Sequence, residues 1–205
     1  MGVIEGSFTN TVGIIILITL MGLISVVLGL KVGIKILSQI NIVLCIIFLS
    51  FIFLAGPTSY ILDGLVQNLG SYVQKLLSLS TSTQGYADSS WQNAWTLYYY
   101  SWWFAWSPFV GLFIARISYG RSIQEFLIGA VLVPTFIVFV WFGVFGNAAI
   151  YQEFIEPASL STAINNDIAI SLFIFLEQFP FSKLIMWLAI VIILTFFVTS
   201  SDSGA

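Results

Sequence analysis

Histidine is absent from this 205-residue chain, cysteine occurs once, and charged side chains make up only 7% of the residues. Each scarcity excludes something. Without histidine the chain lacks the commonest general base and metal ligand near neutral pH. No Cys/His cluster exists to hold zinc. Cys45 lies in an apolar run with no partner for an internal disulfide, so it reads as a small core residue. Six Lys and Arg residues scattered along the chain, at a net charge of −3, leave no nucleic-acid footprint. An intramembrane enzyme is disfavoured too, since there is no Ser-x-x-Lys pattern and no pair of acids inside an apolar run. Soluble domains carry about 25% charged residues; here 59% of the residues are hydrophobic, which reads as a membrane protein. The first eleven residues lack a basic run, so no signal peptide is expected.

What is there is mostly long uncharged runs. Residues 11–30, 37–56, 94–115, 126–145 and 184–201 are each about as long as the ~20 residues a helix needs to cross the hydrocarbon core. The expected class is therefore all-α integral membrane, with five transmembrane helices. Residues 59–79 follow another rule. Leu62, Leu65, Val66, Leu69, Tyr72, Val73 and Leu76 recur at three- and four-residue spacing, while Asp63, Gln67, Asn68, Ser71, Gln74 and Lys75 take the other face. Such an amphipathic helix lies in the plane of the interface. Residues 80–90 and 151–167 read as polar connections, and 168–179 as a second short surface helix.

Basic residues orient the spans. Lys31 and Lys35 lie between the first and second, Arg116 and Arg121 between the third and fourth. The other connections hold Asp63, Asp88, Glu153, Glu156, Asp167 and Glu177, with only Lys75 and Lys183 as bases. The positive-inside rule places the two basic connections in the cytoplasm, so the first span enters from outside. An outside start, an odd number of spans and an end close behind the fifth span together point to a segment of a larger membrane protein. Arg121 and Glu125 have the i,i+4 spacing of a helix-surface pair. Arg116 and Arg121 read as topology determinants, with a gating role in their loop as the alternative. Asp202, an acid at the end of a span, is a functional candidate; a place in cytoplasmic water is the equal alternative.

The third run carries an aromatic column. At about 100° per residue, Trp95, Tyr99, Trp102, Trp103 and Trp106 share one arc of roughly 100°, in a stripe roughly 16 Å long. Membrane tryptophans normally sit at the water interface, yet three of these fall near mid-span. Stacked indole faces suit a cation that cannot donate hydrogen bonds. Packing and interface anchoring are the plainer reading, preferred for Trp91 and Trp95; for the three central residues spacing alone leaves both open. The hydroxyls of Thr199 and Ser200, read from sequence alone, back-bond to their own helix.

The stretch from Trp95 through Ser107-Pro-Phe-Val-Gly111, Ala115-Arg-Ile-Ser118, Gly120-Arg121 and Glu125-Phe126 resembles the betaine–carnitine–choline transporter family. Gly33–Leu44, Gly56-Pro-Thr58, Val133-Pro134 and Thr199–Ser203 agree, so the resemblance covers nearly the whole chain from about Thr11. It implies about spans six to ten of twelve, within a core of two inverted five-helix repeats. It implies secondary transport of a quaternary-ammonium osmolyte of the betaine, choline or carnitine type across the cell membrane, with no cofactor and with sodium as the expected coupling ion. Trp102, Trp103 and Trp106, with Tyr99, would line the substrate path. Thr199, Ser200 and the carbonyl of Phe196 would hold one sodium, and Phe109 would belong to a second sodium site. A homotrimer in the full-length protein, contact with membrane lipid and no nucleic-acid partner complete the expectation. Tyr100 stands where the family often has Trp, which leaves the substrate open. Sodium-independent exchange and a non-transporting assembly subunit are the alternatives.

Overall fold

The structure, a computed structural model, describes residues 8–28, 35–86, 90–157 and 159–204. Among these there is no strand. Lys31, Asp88 and the side chain of Asp202 lie outside the described residues. Each uncharged run is helical over its described residues, apart from Gly56 at the end of the second, because a helix satisfies its backbone polar groups within the segment itself. The α-helices are α1 (Phe8–Leu28), α2 (Lys35–Ala55), α3 (Thr58–Thr81), α4 (Tyr98–Ile117), α5 (Ile123–Leu127), α6 (Val133–Ile155), α7 (Ser159–Asn166), α8 (Ser171–Glu177) and α9 (Ser182–Gly204). Two π-helical segments join them, Gln92–Leu97 ahead of α4 and Ile128–Leu132 between α5 and α6. Among the described residues, three helices are long and apolar enough to cross a membrane: Lys35–Ala55, the continuous Ile123–Ile155, and Ser182–Ser200. A shorter apolar stretch, Val12–Leu23, lies in α1. Helix α4 has the length, at 20 residues, but its Tyr and Trp rings carry polar O–H and N–H groups that lower its hydropathy.

The chain divides into two compact units, with the boundary inside α2. In the unit formed by Met1–Phe51 and Ala163–Ala205, α9 packs against α1 and α8. Phe179 is buried with its ring 5.1 Å from that of Phe175 and 6.2 Å from that of Phe51. Two polar side chains are buried in this apolar setting, Asn41 on α2 and Thr195 on α9. The Thr195 hydroxyl lies 3.1 Å from Asn41 Oδ1 and 2.9 Å from the Val191 carbonyl, so one proton has acceptors both across the helix pair and within its own helix.

In the unit Ile52–Thr162, α3 packs against α6 along a polar and small-residue seam. Both helices carry Gly-x-x-x-Asn: Gly64 with Asn68, and Gly143 with Asn147. A Cβ at Gly64 would run into the Asn147 side chain, and one at Gly143 into Leu65. The missing side chains are what let the backbones approach, as small residues do between membrane helices. The amides then close the contact. Asn68 Nδ2 donates to Asn147 Oδ1 at 3.4 Å, and Asn147 Nδ2 donates to the Gly143 carbonyl at 2.7 Å. Tyr60 and Tyr151 end the seam with rings 5.2 Å apart.

Helix ends follow local chemistry. Pro57 is the N-cap residue of α3, where a missing N–H costs nothing. Ser122 and Glu125 form a reciprocal capping box at α5: Glu125 N donates to Ser122 Oγ at 3.2 Å and Ser122 N to Glu125 Oε2 at 2.9 Å. Glu153 reaches ahead to α7, accepting from the Leu160 amide at 3.0 Å and the Ser161 hydroxyl at 2.6 Å.

Four details differ from the sequence expectations. The stretch 151–167 is no plain connection: α6 continues to Ile155 and α7 follows, because Glu153 supplies the acceptor that a short helix start needs. The segment 168–179 is a 3₁₀ turn, Ile168–Ile170, followed by α8, and it buries Phe175 and Leu176 within the protein. Arg121 and Glu125 do not form a pair on one helix, since Arg121 precedes the N-cap and the Glu125 carboxylate is taken by Ser122. Asn68 is not on a purely solvated face but meets Asn147. The apolar stripe Leu62, Val66, Leu69, Val73 and Leu76 is exposed instead.

Candidate functional site: the aromatic helix and the end of α9

Helix α4 and the π-helical turn before it present the aromatic column. Side chains three and four residues apart share a helix face, and the rings follow that rule. Trp95 stacks on Tyr99 with centroids 6.1 Å apart and planes 11° apart, and Tyr99 meets Trp102 at 6.0 Å. One turn further on, Trp106 meets Phe109 edge to face at 6.4 Å. The structure thus brings Trp95, Tyr99 and Trp102 into one ring file and Trp106 with Phe109 into another on the same helix. Trp103 stands apart on the helix and is 71% exposed, against 49% for Trp102 and 40% for Trp106. No described residue of α4 is buried, so the column is an open surface of indole and phenol faces along the uncharged part of the helix, ahead of Arg116.

Helix α4 also contains Pro108, which has no N–H to give to the carbonyl four residues back, that of Phe104. The Ser107 hydroxyl donates to this carbonyl at 2.9 Å. After α4 the chain turns through Gly120, whose φ of 83° favours glycine, and through the bond from Arg121 N to the Ser118 carbonyl at 3.0 Å. Arg121 and Ser118 border an open cavity of about 300 Å³ with Gly111, Ile114 and Phe126, and Arg116 lies in the last turn of α4.

The residues of the sodium expectation sit together on α9. Thr199 Oγ1 donates to the Phe196 carbonyl at 2.9 Å, so two of the three oxygens named from sequence already touch. Ser200 follows on the same helix and is exposed. A hard cation takes carbonyl, hydroxyl and water oxygens, and these groups suit one if the hydroxyl hydrogen turns away from the carbonyl.

Ser107, Asn41 and Thr195, and the two Gly-x-x-x-Asn pairs escaped sequence reasoning. A lone Asn in an apolar run is a usable signal, because a polar group there needs a partner. Asn68 gave none, since a polar residue is ordinary on an amphipathic helix.

A chain that is helical wherever its secondary structure is assigned, with no strand among the described residues, and that carries this apolar content and an indole column has the make-up of a membrane protein. Residues 1–205 match the family described as BCCT, betaine/carnitine/choline family transporter. The chain belongs to that family, whose members are transporters and not enzymes. It is 42% identical over 200 residues to a glycine betaine transporter of Acinetobacter baylyi, a match covering 97% of this chain and 30% of the relative. A glycine betaine/proline/choline transporter of Vibrio parahaemolyticus is 40% identical over 197 residues, 96% of this chain and 35% of that protein. An ectoine/hydroxyectoine transporter of Virgibacillus pantothenticus is 41% identical over 182 residues, 89% of this chain and 36% of that protein. The chain thus spans about a third of the length of these relatives.

Proposed function

We propose that this chain supplies central helices of a multi-pass plasma-membrane transporter for a quaternary-ammonium osmolyte of the glycine betaine, choline or carnitine type. The observation that carries this reading is the ring file Trp95–Tyr99–Trp102, continued by Trp106 and Phe109, along a helical stretch without charge up to Arg116. An N-methyl cation cannot donate hydrogen bonds, so it gains little from the hydroxyls and carbonyls that hold ammonium groups. It gains from ring quadrupoles, at about 0.5–2 kcal/mol for each face. Several faces along one helix offer a path on which the cation exchanges one ring for the next. The names of the relatives support an osmolyte of this kind.

Sodium would enter against the Phe196 carbonyl and the hydroxyls of Thr199 and Ser200, coupling its own downhill passage to the substrate's uphill movement. Sodium-independent exchange is the second reading, favoured by one observation: the Thr199 hydroxyl is held by its own helix, which satisfies it without an ion.

The test is substrate affinity in a complete transporter carrying these residues, for the single variants Trp102→Leu, Trp103→Leu and Trp106→Leu. Leucine keeps apolar volume and removes the quadrupole. Losing one contact of about 1–2 kcal/mol weakens binding roughly 5- to 30-fold. Trp95→Leu, nearer the end of the stripe, should cost less. Wild-type affinity in all three central variants would assign the column to packing and end this reading.

A further inference from the structure

We infer that Ser107 is a positioning residue of the aromatic column, acting through the break that Pro108 makes in α4. This inference rests on the reading of the column as a substrate path. An α-helix pairs the amide of residue 108 with the carbonyl of Phe104. Proline has no amide hydrogen, and its ring also crowds that carbonyl, so a bare Pro108 would leave Phe104 O without a donor and the turn 104–108 free to bend. In an apolar medium an unpaired carbonyl is expensive, and membrane helices with internal prolines commonly satisfy it from a Ser or Thr side chain. Ser107 does this here, donating from Oγ to Phe104 O at 2.9 Å.

Placement makes this bond more than local repair. The segment it closes, Phe104 to Ser107, contains Trp106, and the Trp106–Phe109 ring pair at 6.4 Å straddles the proline. The direction of the Trp106 ring therefore depends on how the turn 104–108 is held. Trp95, Tyr99 and Trp102 lie wholly on the N-terminal side of the break and owe nothing to it. Ser107 itself is about 100° around the helix from Trp106, so its hydroxyl acts on the substrate only through the backbone. Its task is to hold the turn that carries the Trp106–Phe109 pair in line with the ring file that precedes it.

A thermodynamic cycle between Ser107 and Pro108 is decisive. Pro108→Ala restores an amide that can bond Phe104 O, so the Ser107 hydroxyl becomes redundant in that background. In a complete transporter carrying these residues, reconstituted in liposomes, glycine betaine uptake and thermal unfolding are measured for Ser107→Ala, Ser107→Thr, Pro108→Ala and the Ser107→Ala/Pro108→Ala double variant. Ser107→Ala should raise the half-saturating concentration about fivefold, the equivalent of one ordinary hydrogen bond, with the maximal rate within about twofold. Ser107→Thr, which keeps a hydroxyl, should stay close to wild type. The double variant should match Pro108→Ala. Where Ser107→Ala fails to fold, Ser107→Cys replaces it, isosteric but a weak donor, with the same rise expected. An equal cost of losing the hydroxyl in the proline and alanine backgrounds overturns the inference, as does unchanged affinity in the Ala or Cys variant. Coupling seen in unfolding but not in affinity overturns it as well, making the bond merely structural. If instead the three Trp→Leu variants bind normally while Ser107 and Pro108 still couple in unfolding, the column reading has failed and the bond remains.

Discussion

At the scale of single residues, this protein pairs many of its helical hydroxyls with carbonyls of their own helix. Thr19, Ser80, Thr81, Thr135 and Thr195 each donate to the carbonyl four residues back, at 2.7 to 2.9 Å. Thr199 donates to the carbonyl three back, at 2.9 Å. Against this background the bond at Thr199 is ordinary, and what would set it apart is a cation. We expect the double variant Thr199→Ala/Ser200→Ala to raise the sodium concentration for half-maximal uptake about fivefold or more, as for loss of about 1 kcal/mol of ligand contact. Uptake assayed across a sodium series in a complete transporter checks it. An unchanged sodium dependence in a folded variant leaves these hydroxyls as helix back-bonds and favours exchange. The aromatic residues add a second feature: the column's rings in contact are three or four apart, but spacing alone does not choose among them, since Tyr99 meets Trp102 and not Trp103, which is also within helical reach and stays outside the file. The Trp103→Leu variant is therefore the one whose effect on affinity should be smallest of the central three.

At the scale of helices, the α3–α6 pair rests on close approach, and its glycines carry the argument. A side chain at Gly64 has no room beside Asn147, whereas Gly70, on the same helix, has open space around its added Cβ. Gly64→Val should destabilise by about 1–3 kcal/mol through overpacking. Gly70→Ala should be neutral or gain up to about 1 kcal/mol from helix propensity. Unfolding midpoints of the two variants in one lipid or detergent check the contrast; equal midpoints would remove the seam as a stability element. The same helix exposes Leu62, Val66, Leu69, Val73 and Leu76 at helical spacing. We expect α3 to lie along the outer interface with that stripe toward lipid. Spin labels should report oxygen-accessible, lipid-facing sites at Val66 and Val73, and water-accessible sites at Gln67 and Gln74. Uniform burial of all four would place α3 elsewhere.

At the scale of the whole molecule, orientation comes from charge. The spans are expected to set Lys31, Lys35, Arg116 and Arg121 in the cytoplasm and Lys75, Asp88 and Glu153 outside, because basic residues are retained on the cytoplasmic side. Single-cysteine labelling in a Cys45→Ala background of a complete transporter tests this. Impermeant reagent should reach positions 75 and 153 from outside and leave position 121 unlabelled; labelling of 121 from outside reverses the topology. The wide exposure of α4, with no buried described residue, fits a chain that spans about a third of its relatives' length.

What the amino-acid sequence determined by itself was the class of the protein and the helical character of its long apolar runs. Apolar runs of membrane length, the absence of histidine and the spacing of the aromatic residues depend on composition and period alone. So does the family resemblance, carried by a long uncharged motif from Trp95 to Phe126. Only the tertiary structure decided which polar atoms meet. The bond between Asn41 and Thr195 joins residues 154 positions apart, and the contact between Asn68 and Asn147 joins residues 79 apart. Helical periodicity assigns a residue to a face; what that face touches depends on another helix and on where glycine lets the two backbones meet. The reach of Glu153 to α7 and the end of the Arg121–Glu125 pairing have the same cause. A charged side chain settles on the nearest uncommitted backbone amide or hydroxyl, and folding decides which one that is.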